Sequence, residues 1–166
     1  MVIIRHTNLT ILRLLLAIFV CLSFQSRAAY TASLAISGVS GPGANGTIPV
    51  LSYSFGVSKY GGSPSFSPVS VSKVLDLTSP LLAFQCAKGV TNSTAVLTVV
   101  NSATGNTLYT VSLGNVSIIS DQISGGSDVP DESVSLNYNT IAWTYQPTDG
   151  SAPVTHSWNV ADDSGH

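Results

Sequence analysis

The stretch "TLYTVSLGNVSIISDQI", residues 107–123, alternates apolar and polar residues but changes phase halfway. Tyr, Val and Leu occupy odd-numbered positions before Gly114, whereas Val116 and Ile118 are even-numbered. Alternation of this kind is typical of a β-strand with one buried face. Glycine is the residue most able to form a bulge or a sharp bend, so we expect the buried face of this strand to change at Gly114.

A second stretch, "SVSLNYNTIAWTY" (133–145), changes phase in the same way at Asn139–Thr140. A flat sheet with one covered face would keep a constant phase along each strand. Two long strands that change faces midway are typical of a sheet that folds over on itself, because they form its corners. The sequence therefore predicts a mainly β fold, a compact β-barrel of two packed antiparallel sheets.

Most of the remaining chain after residue 30 carries the same strand signal. The segments with alternating or β-branched residues between Gly, Pro, Ser and Asn breaks are 33–39, 48–58, 69–77, 93–100 and 154–160. These breaks mark turns, and the segments between them have the length of ordinary strands. The chain is long enough for one domain with a substantial core, which we place at 29–160, followed by a flexible C-terminal tail at 161–166.

One segment, "TSPLLAFQCAKG" (78–89), predicts a helix instead of a strand. Ser79 can cap a helix, Pro80 suits the first helical position, and Gly89 suits the residue just past the end. No β-branched residue lies between the proline and the glycine. The sequence therefore predicts one short helix at about 80–88.

The N-terminus has the pattern of a secretory signal peptide. An apolar run of 11 residues, "LLLAIFVCLSF" (14–24), follows a polar, arginine-bearing start and precedes small residues. A membrane span needs about 20 apolar residues, so this run is too short for one. We interpret residues 1–28 as a signal peptide cleaved near Ala28 or Ala29, with a retained single-helix anchor as the alternative. The mature chain would then be secreted or periplasmic, without a stable membrane span.

Charge is scarce in this chain. Charged residues make up 8% of the sequence, against roughly 25% in an average soluble domain. After cleavage, three lysines face eight carboxylates, which is a net charge of −5. This balance excludes a basic nucleic-acid surface. A neutral, hydrogen-bonding surface suits contact with other protein copies or with carbohydrate.

No recognisable catalytic or cofactor motif is present. His156 is the one histidine available for a Ser-His-Asp arrangement, and no Gly-x-Ser-x-Gly elbow accompanies it. Cys86 would be the mature chain's single cysteine, and we interpret it as a small buried side chain on the helix. Too few His and Cys ligands remain for zinc. The sequence therefore predicts no enzyme, no metal and no cofactor.

Three carboxylates, Asp128, Asp131 and Glu132, cluster around Pro130. Adjacent carboxylates on an extended chain point apart, which does not suit paired acid/base catalysis. An irregular calcium site of carboxylate and carbonyl oxygens is an alternative. The pattern favours a solvated turn in which these carboxylates discourage edge-to-edge aggregation.

Three segments, 50–58, 79–89 and 125–147, occur in an order and spacing that resemble the haemolysin-coregulated protein (Hcp) family. The most specific part is "GGSDVPDESVSLNY" (125–138), and the resemblance covers roughly residues 33–158. It implies a compact β-barrel with one helix, similar also to phage tail-tube proteins. It further implies hexameric rings that stack as the inner tube of the type VI secretion apparatus.

The resemblance also assigns a role to the loop at 58–68, which would contact the neighbouring ring. Tyr60, Gly61, Gly62 and Phe66 are its candidate assembly contacts. The implied partners are other copies of the chain, together with secretion-machine or effector proteins.

An alternative function is a secreted carbohydrate- or protein-binding β-module that reuses this fold. In that case, exposed aromatic residues such as Tyr60, Tyr145 or Trp158 would grip the ligand.

Overall fold

The structure is a computed structural model that describes residues 29–126 and 129–165. The predicted signal peptide at 1–28 and the carboxylate of Asp128 lie outside the described residues. The strands are β1 (Tyr30–Ile36), β2 (Ile48–Val50), β3 (Ser52–Ser54), β4 (Val57–Ser58), β5 (Ser65–Phe66), β6 (Val69–Val74), β7 (Thr91–Asn101), β8 (Thr107–Ser124), β9 (Asp131–Asn137), β10 (Thr140–Tyr145), β11 (Val154–Asn159) and β12 (Ser164–Gly165). Helix α1 (Ser79–Lys88) lies between β6 and β7, and a short 3-10 turn occupies Ala44–Gly46.

Strand β8 is the centre of the sheet. On one edge it pairs with β7, which leads to β1 and β2. On the other edge its first half pairs with β10, which leads to β11 and β12, and its second half pairs with β9, which leads to β6 and β3. These pairings are antiparallel, and a separate two-stranded sheet joins β4 to β5. The predicted mainly β fold with two packed antiparallel sheets is confirmed.

The phase change predicted within β8 is also confirmed. Leu113 is buried on one side of the change and Val116 on the other. Asn115 between them has a left-handed conformation, with φ of 51°. A Cβ atom on Gly114 would overlap the hydroxyl group of Thr140 on the paired strand. Any larger residue here would require the Thr140 side chain to move, so glycine avoids crowding at the bend.

The second predicted phase change separates two strands rather than bending one. β9 ends at Asn137 and β10 begins at Thr140, and both pair with β8. Tyr138 is buried before the break and Ile141 after it. A break also occurs at Leu51, and here the pairing partner changes. β2 pairs with β1, whereas β3 pairs with β6.

Helix α1 begins one residue earlier than predicted and ends at Lys88 as expected. Gly89 follows in the left-handed region, with φ of 67°, and its N–H donates to carbonyl groups of the last turn. The prediction that Ser79 caps the helix was wrong. Thr78 holds the cap position, and its N–H donates to Asp76 Oδ1 at 2.8 Å. The Ser79 hydroxyl instead contacts Lys73 in the protein interior.

The end of the chain was predicted as a flexible tail. In the structure, Ser164 and Gly165 pair with Asn159 and Trp158 of β11. Among the described residues, no helix combines the length and the apolar character that crossing a bilayer requires.

Candidate functional site

The loop predicted to make assembly contacts forms a hairpin, which we call the arm (residues 57–66). Val57 pairs with Phe66 and Ser58 with Ser65, and the segment between them forms the tip. The side chain of Tyr60 at this tip is fully exposed. Gly61 beside it has φ of 72°, a left-handed conformation that favours glycine. The tip thus presents an aromatic ring held out on a tight turn.

The base of the arm packs against the body of the protein. The ring of Phe66 lies 6.3 Å from that of Trp143 and 6.2 Å from that of Trp158, measured between centroids. These spacings are typical of attractive aromatic pairs. The Ser67 N–H also donates to the Gly56 carbonyl at 3.0 Å, which closes the hairpin at its root.

The four predicted assembly residues therefore fall into two groups. Tyr60, Gly61 and Gly62 lie at the exposed tip, where another molecule could reach them. Phe66 is partly buried and its ring packs inside its own chain. Their role as assembly contacts stays a prediction.

A mainly apolar groove of about 320 Å³ lies under the arm. Its lining residues are Phe55, Gly56, Val57, Phe66, Tyr109, Tyr138, Ile141 and Trp143. The Tyr138 hydroxyl donates to the Ser67 carbonyl at 3.0 Å, and burial raises the pKa of Tyr138. Burial, together with neighbouring Tyr53, also raises the pKa of Tyr109. Both phenols therefore stay neutral at physiological pH.

The aromatic residues of the alternative binding function lie on three different elements. Tyr60 is on the arm, Tyr145 ends β10, and Trp158 is on β11 under Phe66. Of the three, Tyr60 alone is fully exposed, while Trp158 is half-buried.

A second feature is an interior charge cluster formed by Lys73, Asp76, Ser79, Asp121 and Glu132. Lys73 on β6 and Glu132 on β9 face each other across the paired strands, and their exposed fractions are 1% and 0%. Lys73 Nζ lies 2.5 Å from Glu132 Oε2, 3.1 Å from Asp76 Oδ1 and 3.0 Å from Ser79 Oγ. The Ser79 hydroxyl donates to the same Glu132 oxygen.

The interpretation of Glu132 as part of a solvated turn was wrong. Glu132 is on the same face of β9 as Val134 and Leu136, which are core residues, and it is buried with them. Asp131, one position earlier, points the other way and is exposed. Alternation along the strand could have revealed this, because positions 132, 134 and 136 share one face.

The inward orientation of Lys73 could have been recognised from alternation in the same way. Lys73 extends the inward face of β6 that holds Val69 and Val71. From the sequence, Glu132 was considered only together with its acidic neighbours, and Lys73 was not considered. Lys73 and Glu132 lie opposite each other because β6 pairs with β9. The two residues are 59 positions apart in the sequence.

The remaining acidic groups of the cluster respond to this environment in opposite ways. Burial alone would raise the pKa of Asp76, but hydrogen bonds from Thr78 and Lys73 outweigh burial and lower it. Burial, followed by the charge of Glu132 and a hydrogen bond with it, raises the pKa of Asp121 to about 6. Asp76 is thus held as a carboxylate, whereas Asp121 retains its proton to a higher pH.

The histidine and the cysteine considered for catalysis lie on different elements. His156 is exposed on β11, opposite Trp143 of β10. Cys86 is partly buried on α1 and packs against the core. Within residues 29–126 and 129–165, no cluster of three or more His, Cys, Asp and Glu side chains could hold a metal ion.

In the part of the chain that the structure describes, an antiparallel β fold with one α-helix and a projecting hairpin defines the class of this protein, and sequence comparison gives the family. Residues 34–145 match the family model described as "Type VI secretion system effector, Hcp". This match spans well over half of the chain, so the protein belongs to the Hcp family. No curated protein sequence matches the chain.

Solved structures support the same fold. Hcp1 from Salmonella typhimurium superimposes with a TM-score of 0.75 at 21% identity, covering 84% of this chain and 100% of that one. A type VI secretion system effector from Yersinia pestis gives 0.70 at 19% identity, covering 78% and 99%. The secreted protein Hcp3 from Pseudomonas aeruginosa gives 0.64 at 22% identity, covering 76% and 97%. At these identities the likeness concerns the fold.

Proposed function

We propose that this chain is an exported structural subunit that assembles with copies of itself into hexameric rings, and that these rings stack into a tube of the type VI secretion kind. The observation that carries the proposal is the Hcp family match, which extends from β1 to β10 and includes the helix and the arm. The role is mechanical, and it needs neither a catalytic residue nor a cofactor.

The surface supports assembly because it carries many large apolar side chains. Those more than half exposed include Leu51, Val57, Leu77, Phe84, Ile119 and Val154. Exposed apolar side chains of this kind are groups that contact with another protein would remove from water. Head-to-tail contacts around a rotation axis would cover it and close the ring without leaving a free end.

The arm supports the stacking step. Tyr60 and the two glycines after it are held away from the body on a paired hairpin, so they can reach a neighbouring ring. Phe66 then acts within the subunit by fixing the base of the arm against Trp143 and Trp158. We therefore propose the tip as the contact and Phe66 as the residue that positions it.

Export is the second part of the proposal, and it rests on the signal-peptide pattern at 1–28. After cleavage the subunits would assemble in the periplasm or outside the cell. Secretion-machine or effector proteins are the proposed partners in addition to the chain itself.

The test is to express the full chain with its leader in a bacterial host and to purify it from the periplasm and the medium. Mass spectrometry of the intact product gives the cleavage point, expected near Ala28 or Ala29. Light scattering and negative-stain electron microscopy give the assembly, expected as six-subunit rings and stacked tubes. A product that stays monomeric at high concentration would overturn the assembly proposal.

A glycan array on the same preparation tests the alternative function. Specific glycan binding by a monomer would favour the binding module. A ring-forming product without glycan binding supports the tube subunit.

A further inference from the structure

The interior charge cluster contains more carboxylate groups than its one cation can satisfy. Lys73 contacts Glu132 Oε2, Asp76 and Ser79, so its three donors are engaged. Glu132 Oε1 and both oxygens of Asp121 are buried and have no hydrogen-bond donor among the described residues. Buried carboxylate oxygens without a donor are strongly unfavourable, because the charge has lost its water.

The two unsatisfied groups face each other. Asp121 on β8 lies opposite Val134 of β9, and Glu132 is the next residue on the same inward face. The two side chains are therefore diagonal neighbours on one face of the paired strands β8 and β9, a spacing that long side chains can bridge. A hydrogen bond between two carboxyl groups requires that one of them carries a proton, because an ionised carboxylate can only accept.

Within residues 29–126 and 129–165, no further charged group acts on Asp121 in place of that proton. The charges that act on Asp121 are Glu132 from β9 and Lys73 from β6. Strand β7, which pairs with the other edge of β8, carries no titratable side chain. Helix α1 contributes the neutral Ser79 at this end, while its titratable residues, Cys86 and Lys88, lie in its last turn.

We propose that Asp121 and Glu132 form a buried proton-binding site, in which the two carboxyl groups share one proton. The proton turns one carboxyl group into a donor and removes one of two adjacent negative charges. Glu132 Oε2 is then free to hold Lys73 and the first residue of the helix, Ser79. The proton therefore stabilises the attachment of the start of α1 to β6, β8 and β9.

The direction of the pH dependence follows from the Asp121 carboxyl group. Its pKa is raised from an ordinary value of 3.8 to about 6 in the folded chain. Between these values the folded chain binds more protons than the unfolded chain, so the stabilisation decreases as pH rises. It is complete below about pH 4 and lost above about pH 6. The shift corresponds to a proton affinity about 100-fold greater in the folded state.

The direct test is infrared difference spectroscopy of the full chain between pH 4.5 and 7.5, which is applicable to large assemblies. A protonated carboxyl group absorbs separately from ionised carboxylates. We expect a carboxyl band that disappears with a midpoint near pH 6, and we expect Asp121→Asn to lack it. Absence of such a band in the unsubstituted protein would overturn the proposal, whether or not the variant folds.

A stability measurement tests the structural consequence with a matched pair of variants. Asp121→Asn replaces the acid by an amide that can donate to Glu132 at every pH. Asp131→Asn makes the same change at the exposed residue next to Glu132. We expect the loss of thermal stability between pH 5 and 7 to be strongly reduced in Asp121→Asn and retained in Asp131→Asn. Equal slopes in the two variants would contradict the proposal.

Hydrogen exchange locates the effect on the helix. In the first turn of α1, the amide protons of Leu81 and Leu82 donate to the Thr78 carbonyl. After correction for intrinsic rates, their protection should decrease from pH 5 to pH 7 in the unsubstituted protein and stay constant in Asp121→Asn. Unchanged protection in the unsubstituted protein would refute the attachment of the helix by this proton.

Discussion

The interior charge cluster and the arm reverse the usual distribution of residues in a soluble protein. The cluster places Lys73 and Glu132 out of contact with water, whereas the arm exposes Tyr60 completely. Although the chain has few charged residues, two of them are buried, and several large apolar side chains are exposed. The two regions therefore have different consequences. A buried charge restricts the geometry of the fold, whereas an exposed ring is available for contact with another molecule.

Each region also depends on different parts of the chain. The cluster connects β6, β8, β9 and α1, so its geometry requires the correct pairing of distant segments. The arm is a local hairpin attached through Phe66 and Ser67. Substitutions in the cluster should therefore affect folding, while substitutions at the arm tip should affect assembly.

The largest effect is expected from Lys73→Met. This substitution leaves the buried Glu132 and the partly buried Asp76 without a cation, and breaking a buried ion pair such as Lys73–Glu132 costs about 3–5 kcal/mol. The matched control is Lys59→Met on the exposed arm, which should change the free energy of unfolding by less than about 0.5 kcal/mol. Urea denaturation measures both.

A double variant, Lys73→Met with Glu132→Leu, refines this prediction. It removes both buried charges, so it should recover much of the stability lost in Lys73→Met. If Lys73→Met and Lys59→Met had equal effects, the contrast between the two regions would not hold.

The next effect is expected from Phe66→Ala at the base of the arm. The ring is partly buried between two tryptophans, so its loss should destabilise the protein by about 2 kcal/mol, less than for a fully buried Phe. Phe84→Ala on the outer face of α1 is the control, because Phe84 is mostly exposed. Thermal unfolding that is equally affected by both substitutions would argue against a structural role for Phe66.

A smaller effect is expected from Gly89→Ala after the helix. Gly89 has a left-handed conformation, which costs alanine about 1 kcal/mol. Gly62→Ala on the arm meets open space and lies outside the left-handed region, so its stability should be unchanged or slightly raised. Chemical denaturation of the two variants compares them, and a loss in Gly62→Ala would point to an internal constraint on the arm.

The smallest effect on stability is expected from Tyr60→Ser. The side chain is fully exposed, so unfolding should change by less than about 0.5 kcal/mol, while stacking into tubes should be lost. Tyr145→Ser is the control, which we expect to leave tube length in electron micrographs unaltered. Tubes of normal length in Tyr60→Ser would remove the tip from the proposed contact.

The sequence predicts those features that depend on neighbouring residues. The bend at Gly114 follows from a change of phase over a few positions, and the helix end follows from a glycine with left-handed geometry. Both appear in the structure because local patterning and the tertiary fold agree at these points.

Features that depend on distant pairing could not be predicted. The break at Leu51 arises because β1 and β6 bind successive parts of one segment, and neither partner is encoded nearby. The role of Glu132 was missed because its acidic neighbours suggested a turn. Its alternation with Val134 already indicated that Glu132 points inward. That Lys73 neutralises its charge becomes apparent only once the register of β6 and β9 is known.

Strand β8, 18 residues long, has a consequence for how the molecule comes apart. It carries hydrogen bonds to β7 and β10 along one half and to β9 along the other, so it belongs to both parts of the sheet. Neither part can open fully while β8 remains paired in the other. We therefore expect cooperative unfolding in one step, with the central amides of β8 among the last to exchange with solvent.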